Sequence, residues 1–386
     1  MSNSTTALSF YRSNTMFRFL LFITIATAIG FQGWRTFFNN FAVDEVGLNG
    51  FYIGAIQSFR EVPGFLVFSV IFVLLFIGEV QLILLASAFM GIGILFTGMF
   101  PTFIGLMGTT FLMSLGFHYF ETTTQSLVLQ NYNRQDSPHI LATLRSTVAV
   151  TNIIIGTFIF LFGEYSSFQT NYILLGLAVL AMVSFALFQK PTRSSLIPQQ
   201  KRMVIKRKYW LFYVLNLLSG ARRQVFVVFS ILLLVEKYNV SIVNVSLLFI
   251  LNNVISIIVN PLIAKAINRF GEKKMLTFEY MSLALIFLAY ATIENVWVVA
   301  SLYVLDHIFF NFSIGIKTYF QKHADPEDIA PSMAVGFTVN HIVAVILPVI
   351  GGFLWLSNWH LPFYGAVMLC IISLVFVQFM KPKETK

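Results

Sequence analysis

Apolar and polar residues alternate along this chain in long blocks. Runs of about 20 mostly apolar residues, the length that an α-helix needs to cross a bilayer, recur from one end to the other. They predict twelve spans, at residues 16–41, 50–76, 80–99, 101–130, 140–163, 168–189, 208–236, 241–267, 275–292, 296–321, 329–356 and 359–380. Pro63-Gly64 can break the second span. The predicted fold class is an all-α integral membrane protein with twelve transmembrane helices.

One long polar stretch interrupts these blocks near the middle of the chain. Residues 189–208 carry seven lysines and arginines, no acid and two prolines, which suits a linker better than a packed helix. Six predicted spans lie on either side of it. The chain is therefore predicted to form a six-helix bundle at 1–188, a linker at 189–208 and a second bundle at 209–386. The similar depths of Arg35 and Arg223 support an ancestral duplication.

Composition and charge strengthen the membrane assignment. Hydrophobic residues make up 57% of the chain and charged residues 11%, whereas soluble domains carry about a quarter charged residues. A soluble protein with a very large apolar core is the disfavoured alternative. The net charge of +9 gathers at the ends of the apolar runs, so it indicates orientation and not nucleic-acid binding. Both termini are predicted to be cytoplasmic, in a cell inner or plasma membrane.

Polar side chains within the spans form the candidate site, because such residues are costly in a bilayer and usually face a cavity or a partner. Helical spacing places many of them on shared faces. The predicted solute-binding residues are Arg35, Gln57, Arg60, Arg145, Arg223 and Asn253. The predicted proton-coupling residues are Glu61, His118, Glu121 and Asp306. Spans three, six, nine and twelve contain almost no such residues.

The chemistry of these residues suggests the kind of solute. Arginine exceeds acid in the polar spans, and guanidinium suits carboxylate and phosphate, so an anionic or zwitterionic solute is favoured. Histidine and buried carboxyl groups are suited to carrying protons. The alternative is structural pairing, for example of Arg35 or Arg223 with Glu61. Arg60 and Glu61 point about 100 degrees apart on a helix and are not expected to pair simply with each other.

The loop between the eighth and ninth predicted spans carries a family resemblance. Residues 264–274 read AKAINRFGEKK. This resembles the loop motif of the major facilitator superfamily, G-x-x-x-D-R-x-G-R/K-R/K. The matching residues are Arg269, Gly271, Lys273 and Lys274, and the departures are Ala264, Asn268 and Glu272. At the position between spans two and three, where the family often has a more prominent copy, the motif is essentially lost.

The resemblance implies a secondary transporter in which two six-helix bundles expose a central cavity to one side at a time. Spans three, six, nine and twelve would be peripheral, which agrees with their lack of polar residues. Asn268, Arg269, Gly271 and Lys273 would form a gating motif. The expected partners are a small-molecule solute, protons and the lipid bilayer, and a monomer is expected to function. No cofactor is expected, and no metal, because no third ligand is evident beside His118 and Glu121.

Other functions stay open at this point. They are an uncoupled facilitator, a transporter-like sensor, a lipid-handling flippase and an intramembrane enzyme. The sequence has no G-x-x-x-x-G-K-S/T phosphate loop, no G-x-S-x-G elbow and no H-E-x-x-H. Its polar segments are too short to hold a separate catalytic domain. ATP-driven transport and enzyme activity are therefore disfavoured, and the single cysteine, Cys370, excludes an intrachain disulfide.

Overall fold

The computed structural model describes residues 14–74, 76–132, 137–191, 205–325 and 328–381. Within these ranges the chain is helical and contains no strand. The helices are α1 (Thr15–Asn40), α2 (Gly50–Phe65), α3 (Glu79–Thr97), α4 (Phe103–Asn131), α5 (Ser137–Phe162), α6 (Phe168–Leu187), α7 (Trp210–Gln224), α8 (Ile242–Phe270), α9 (Glu272–Thr292), α10 (Val296–Phe310, resuming at Ile314–His323), α11 (Ile329–Ser357) and α12 (Leu361–Val377). The predicted all-α class with twelve helices is confirmed.

Most of these helices can cross a membrane by length and composition. Among the described residues, ten helices meet that standard, and α12 is a shorter apolar helix. The predicted basic linker lies mainly outside the described residues, because residues 192–204 are not among them. What is described of it includes Lys206 and a 3-10 turn, Arg207–Tyr209, that leads into α7.

Side-chain caps fix where several helices begin. The Asn14 carboxamide oxygen accepts a hydrogen bond from the Phe17 amide at the start of α1. Thr102 caps α4 and Ser167 caps α6 in the same way. Asn295 accepts from two amides at the start of α10. Each cap satisfies a backbone donor that the first turn of a helix leaves without a partner, so these polar residues mark the span boundaries.

Turns of other helical types interrupt or extend several of the described helices. After Phe65, α2 becomes a 3-10 turn at Leu66–Ser69, and a short helix follows. A break was predicted at Pro63-Gly64, and the structure places it two residues later, because Pro63 is accommodated within the helix. Wider π-helical turns extend α1 at Phe41–Glu45 and α7 at Val225–Ser230. Such turns often occur at functional sites.

The chain groups into two compact units. Unit 1 contains residues 1–41 and 63–200, and unit 2 contains residues 42–62 and 201–386. The first half of α2 therefore packs with C-terminal helices, and the division of α2 falls at Pro63. The six-plus-six division at 189–208 stays a prediction.

Four pairs of packed helices recur in both units. In unit 1, α1 packs against α5 and α6, and α3 packs against α4 and α6. In unit 2, α7 packs against α11 and α12, and α9 packs against α10 and α12. The pairs in unit 2 are the pairs in unit 1 shifted by six helices. This order places α7, α9, α10 and α12 around one core, where the charged cluster described below lies.

Large apolar side chains are exposed on the outer helices of both units. They include Phe89 on α3, Leu177 on α6, Leu285 on α9 and Met368 on α12. Leu285 and Met368 are 67% and 64% exposed. Exposure of so many large apolar groups is unfavourable in water and favourable in hydrocarbon. The four helices that are poor in polar residues therefore have faces suited to lipid.

Candidate functional site

In unit 1, the polar face of α1 forms a hydrogen-bonded network. The Arg35 Nη2 donates to the Gln32 side-chain oxygen at 2.8 Å. The Gln32 amide nitrogen donates to the Thr36 hydroxyl at 3.1 Å. Gln32 and Thr36 are buried and Arg35 is half-buried. The spacing of these residues at i, i+3 and i+4 thus does place them together, and the network holds the guanidinium of Arg35 in one orientation.

The other candidates of unit 1 lie on α4 and α5. His118 is buried, at 6% exposure, and its carbonyl accepts a hydrogen bond from Thr122. Glu121 is half-buried one turn later, and Arg145 is exposed on α5. An arginine exposed on a helix of spanning length is costly against lipid. The exposed side chain of Arg145 therefore favours polar surroundings over contact with lipid.

In unit 2, Glu61 lies at the centre of a buried charged cluster. The Arg60 Nη2 lies 2.5 Å from Glu61 Oε1, and the His341 Nδ1 lies 3.1 Å from Glu61 Oε2. All three side chains are at most 7% exposed. The expectation that Arg60 and Glu61 do not pair with each other was wrong. The long arginine side chain reaches around the helix, because a buried carboxylate without a charged partner is strongly destabilising.

Close packing of α2 on α11 positions this cluster. The Ser58 hydroxyl accepts a hydrogen bond from the Val349 amide at 3.0 Å. A Cβ added at Gly54 would lie 2.3 Å from the Pro348 carbonyl oxygen. Small residues allow helix backbones in membranes to approach this closely. The approach brings Glu61 within hydrogen-bonding distance of His341, although the two residues are 280 positions apart in the chain.

A second buried charged cluster joins four helices of unit 2. Arg222 on α7 donates through Nη1 to the Ser373 hydroxyl on α12, and its guanidinium carbon lies 4.3 Å from the centre of the Tyr280 ring. Its Nη2 lies 3.7 Å from Glu279 Oε1 on α9, and both side chains have no exposed surface. Asp306 on α10 is 1% exposed and interacts electrostatically with Arg222.

The remaining predicted binding residues in unit 2 are spread over other faces. Gln57 is buried on α2, at 5% exposure. Arg223 is exposed on α7, whereas the adjacent Arg222 is fully buried. Asn253 is half-buried on α8 and donates to the Phe249 carbonyl at 2.8 Å. Asp306, predicted to carry protons, lies with Arg222 and not with Glu61.

The loop motif lies where α8 meets α9. Gly271 has a φ of +84°, a conformation that glycine adopts without strain. Asn268, Arg269 and Lys273 are exposed, and Lys273 Nζ donates to the Gln378 carbonyl at 2.8 Å. A separate ion pair involves the acid at the first basic position of the motif: Glu272 lies 2.5 Å from Lys322 at the end of α10. Glu272, which is negative where the motif has a basic residue, thus has a cationic partner in Lys322.

The carboxyl end of the linker is tied to the start of α11. Lys206 Nζ and the Tyr209 hydroxyl each donate to Asp328 Oδ2 at 2.6 Å. These two hydrogen bonds are the main cause of a lowered pKa of Asp328, and the charges of Lys206 and Lys208 lower it further. Desolvation of the carboxylate raises this pKa but is outweighed. The hydrogen bond to Asp328 raises the pKa of Lys206. Asp328 is 4% exposed in spite of its charge, so this contact anchors the residues before α7 to the start of α11.

Sequence reasoning did not find three members of the two clusters. Glu279, Arg222 and His341 are not among the residues that the sequence predicts for solute binding or proton coupling. One signal was available: the spans hold few acids, and a buried charge needs an opposite partner. Pairing each buried arginine with a buried acid would have brought Arg222 and Glu279 into consideration.

Comparisons with known proteins identify the family. The family model described as Major Facilitator Superfamily matches residues 20–346 and residues 212–386. No curated protein sequence matches the chain. A crystal structure of the nucleoside transporter NupG has a TM-score of 0.74 and 13% identity, covering 94% of this chain and 99% of that chain.

Two bacterial structures in inward-facing states show the same fold. A homologue of the human lysosomal transporter Spinster has a TM-score of 0.73 and 12% identity, covering 96% of this chain and 97% of its own. A homologue of the iron transporter ferroportin has a TM-score of 0.74 and 17% identity, covering 94% and 98%. With a family model matching nearly the whole length, the chain belongs to the Major Facilitator Superfamily and is a multi-span membrane transporter rather than an enzyme.

Proposed function

We propose that this protein is a secondary active transporter that moves a small anionic or zwitterionic organic solute together with protons by alternating access. It would act as a monomer in a cell inner or plasma membrane. The observation that carries the proposal is the buried position of Glu61 between Arg60 and His341. A carboxylate and an imidazole at hydrogen-bonding distance form a pair that can take up and release a proton.

A proton at this pair would change a helix contact. With Glu61 ionised, its charge is balanced by Arg60 and it can accept a hydrogen bond from His341. Protonation of the carboxyl removes one of the two acceptor sites and leaves the arginine charge uncompensated. Because Glu61 lies on α2 and His341 on α11, the protonation state would bias the contact between these helices. His118, Glu121 and Asp306 are further proposed proton-carrying residues.

The proposed negative charge of the solute rests on the arginines. Arg35 is half-buried in its network with Gln32, and Arg145 and Arg223 are exposed on helices of spanning length. A guanidinium presents several donors in one plane and binds carboxylate or phosphate with two of them. With Gln57, Arg60 and Asn253 these residues are the proposed solute contacts. The loop residues Asn268, Arg269, Gly271 and Lys273 are the proposed gating motif.

Proton coupling is tested in proteoliposomes that contain a trapped pH-sensitive dye. Lactate, succinate, inorganic phosphate, alanine and the uncharged uridine are added outside, with and without an inward proton gradient. A solute that is transported should acidify the interior, and Glu61→Gln should abolish the acidification. Glu45→Gln, which changes an exposed carboxylate, is the matched control and should behave as wild type.

The same assay distinguishes the alternatives. Solute entry without acidification would identify an uncoupled facilitator and overturn the coupling proposal. Acidification that survives Glu61→Gln, Glu121→Gln and Asp306→Asn alike would overturn the assignment of these carboxyl groups.

The charge preference is tested by ligand-induced thermal stabilisation of the purified protein with the same five compounds. A ligand that prefers the folded state raises its apparent melting temperature. We expect stabilisation by an anion or the zwitterion, and loss of that shift in Arg35→Ala and Arg223→Ala. Lys265→Ala removes an exposed charge near the end of α8 and should keep the shift. An unchanged shift in both arginine variants would refute the proposed anion contacts.

A further inference from the structure

We propose that Glu279 and Asp306 share one bound proton in the core of unit 2, balanced by Arg222. This site is separate from Glu61 and His341. It follows from burial and charge within unit 2 and stands whether or not solute transport is coupled to protons.

The first argument is the absence of donors to the two carboxyl groups. Among the described residues, neither oxygen of Glu279 and neither oxygen of Asp306 has a hydrogen-bond partner. Glu279 is 0% exposed and Asp306 1%. A buried carboxylate normally accepts several hydrogen bonds, because its desolvation is otherwise not offset. Two fully buried carboxyl groups without a donor therefore indicate that they hold a bound proton or a bound cation.

The second argument is the charge balance. Arg222 contributes one positive charge, and the two carboxyl groups contribute two negative charges when both are ionised. The arginine is 3.7 Å from Glu279 and already donates to Ser373, so it does not satisfy both acids. A net negative charge in a site without solvent is strongly unfavourable. One bound proton makes the cluster neutral and converts one carboxyl group into a donor.

Among the residues that the structure describes, the groups that interact electrostatically with the cluster supply no further positive charge. Each helix packed around it contributes titratable residues within electrostatic range. They are Arg222 from α7, Glu279, Tyr280 and Tyr290 from α9, Asp306 and Tyr303 from α10, and Cys370 from α12. Tyrosine and cysteine are neutral near pH 7. Arg222 is thus the one positive charge among them, which leaves a single proton as the smallest species that restores neutrality.

A proton fits this position better than a metal cation. A cation bound by both carboxylates would lie beside the guanidinium of Arg222, so two positive charges would be close together in a medium of low polarity. A proton removes a charge without adding a centre of positive charge next to the arginine. Glu279 and Asp306 interact electrostatically, and the protonation of two interacting carboxyl groups belongs to the pair and not to one residue.

Infrared difference spectroscopy of the purified protein tests the proposal. Wild type at neutral pH should show the C=O absorption of a protonated buried carboxyl group. Glu279→Gln and Asp306→Asn each leave one carboxylate balanced by Arg222, so each should fold and each should lose this absorption. Glu236→Gln is the matched control: its carboxylate accepts from the Trp355 indole and lies outside the cluster, so it should keep the absorption.

Two further measurements complete the test. Raising the pH of wild type should remove the absorption reversibly, and this titration needs no variant. Melting temperatures in sodium and in choline buffers should be equal. The proposal is overturned if wild type shows no carboxyl absorption that depends on these residues, or if the absorption survives in either single variant. Sodium-dependent stabilisation that both variants lose would assign the site to a metal cation instead.

Discussion

Gly54 shows how one residue sets the distance between two helices. Its missing side chain lets the backbone of α2 approach the carbonyl oxygen of Pro348 on α11. Gly50 lies one turn earlier, against the Trp355 indole, and Ser58 one turn later, bonded to the Val349 amide. This contact lies on the same helix face as the approach of Glu61 to His341. Small residues on one face of α2 thus position Glu61 next to His341.

We expect Gly54→Ala to destabilise the protein. The added Cβ would lie 2.3 Å from a backbone oxygen, which cannot move aside as a flexible side chain would. Overpacking of this kind costs about 1–3 kcal/mol. The measurement is unfolding of the purified protein in detergent. Gly365→Ala is the matched control, because a Cβ there meets nothing within 4 Å. Equal stability of the two variants would show that α2 and α11 are not in close contact.

At the scale of elements, the contact of Asp328 with Lys206 and Tyr209 connects two segments that are more than 100 residues apart in sequence. It joins the residues leading into α7 to the first turn of α11. A neighbouring pair, Lys208 and Asp325, is far more exposed. Exposed ion pairs contribute little, since solvent screens them and their side chains lose freedom. The anchoring therefore resides in Asp328, whose side chain is 5% exposed.

We expect Asp328→Asn to lower the melting temperature more than Asp325→Asn does. The pKa of Asp328 is lowered in the folded state, so its stabilisation is complete above the ordinary aspartate range and is lost as the pH falls through the lowered pKa. The raised pKa of Lys206 extends its contribution to alkaline pH. The melting temperatures of wild type and Asp328→Asn should differ by a constant amount near neutral pH, and this difference should disappear in acid. A difference that widens in acid would contradict this assignment.

At the scale of the whole molecule, the two units repeat one order of helix neighbours. The family match extends over almost the full length, and a second match begins at residue 212, close to the end of the predicted linker. Both findings agree with the predicted duplication of a six-helix unit. A duplicated unit with an even number of spans returns the chain to the side on which it began. The distribution of lysine and arginine predicts that this side is cytoplasmic.

Orientation can be measured with cysteines and a membrane-impermeant maleimide on intact cells. The single native cysteine, Cys370, is 0% exposed and can be removed by Cys370→Ala. In that background Glu164→Cys should react from outside, because Glu164 is exposed in the loop before α6. Lys386→Cys should react after the cells are opened. The reverse pattern would show that the termini are outside.

Local sequence was sufficient for the helices because the bilayer imposes a local rule. A span needs about 20 apolar residues with every backbone group satisfied within the helix. The predicted spans therefore depend only on neighbouring residues, and so do the caps that the structure shows at Asn14 and Asn295. The grouping of Gln32, Arg35 and Thr36 also followed from helical spacing alone.

What the sequence by itself determined is the helical membrane fold, the family resemblance and the faces that carry polar residues. Only the tertiary structure decided which charges meet. Glu61 contacts His341 across 280 positions, and Arg222 lies against Glu279 and Ser373 on two helices whose spans are predicted to hold almost no polar residues. Helical periodicity sets the direction of a side chain on its own helix. Its partner depends on how distant helices pack, and that is set by side-chain shape and close contacts such as the one at Gly54.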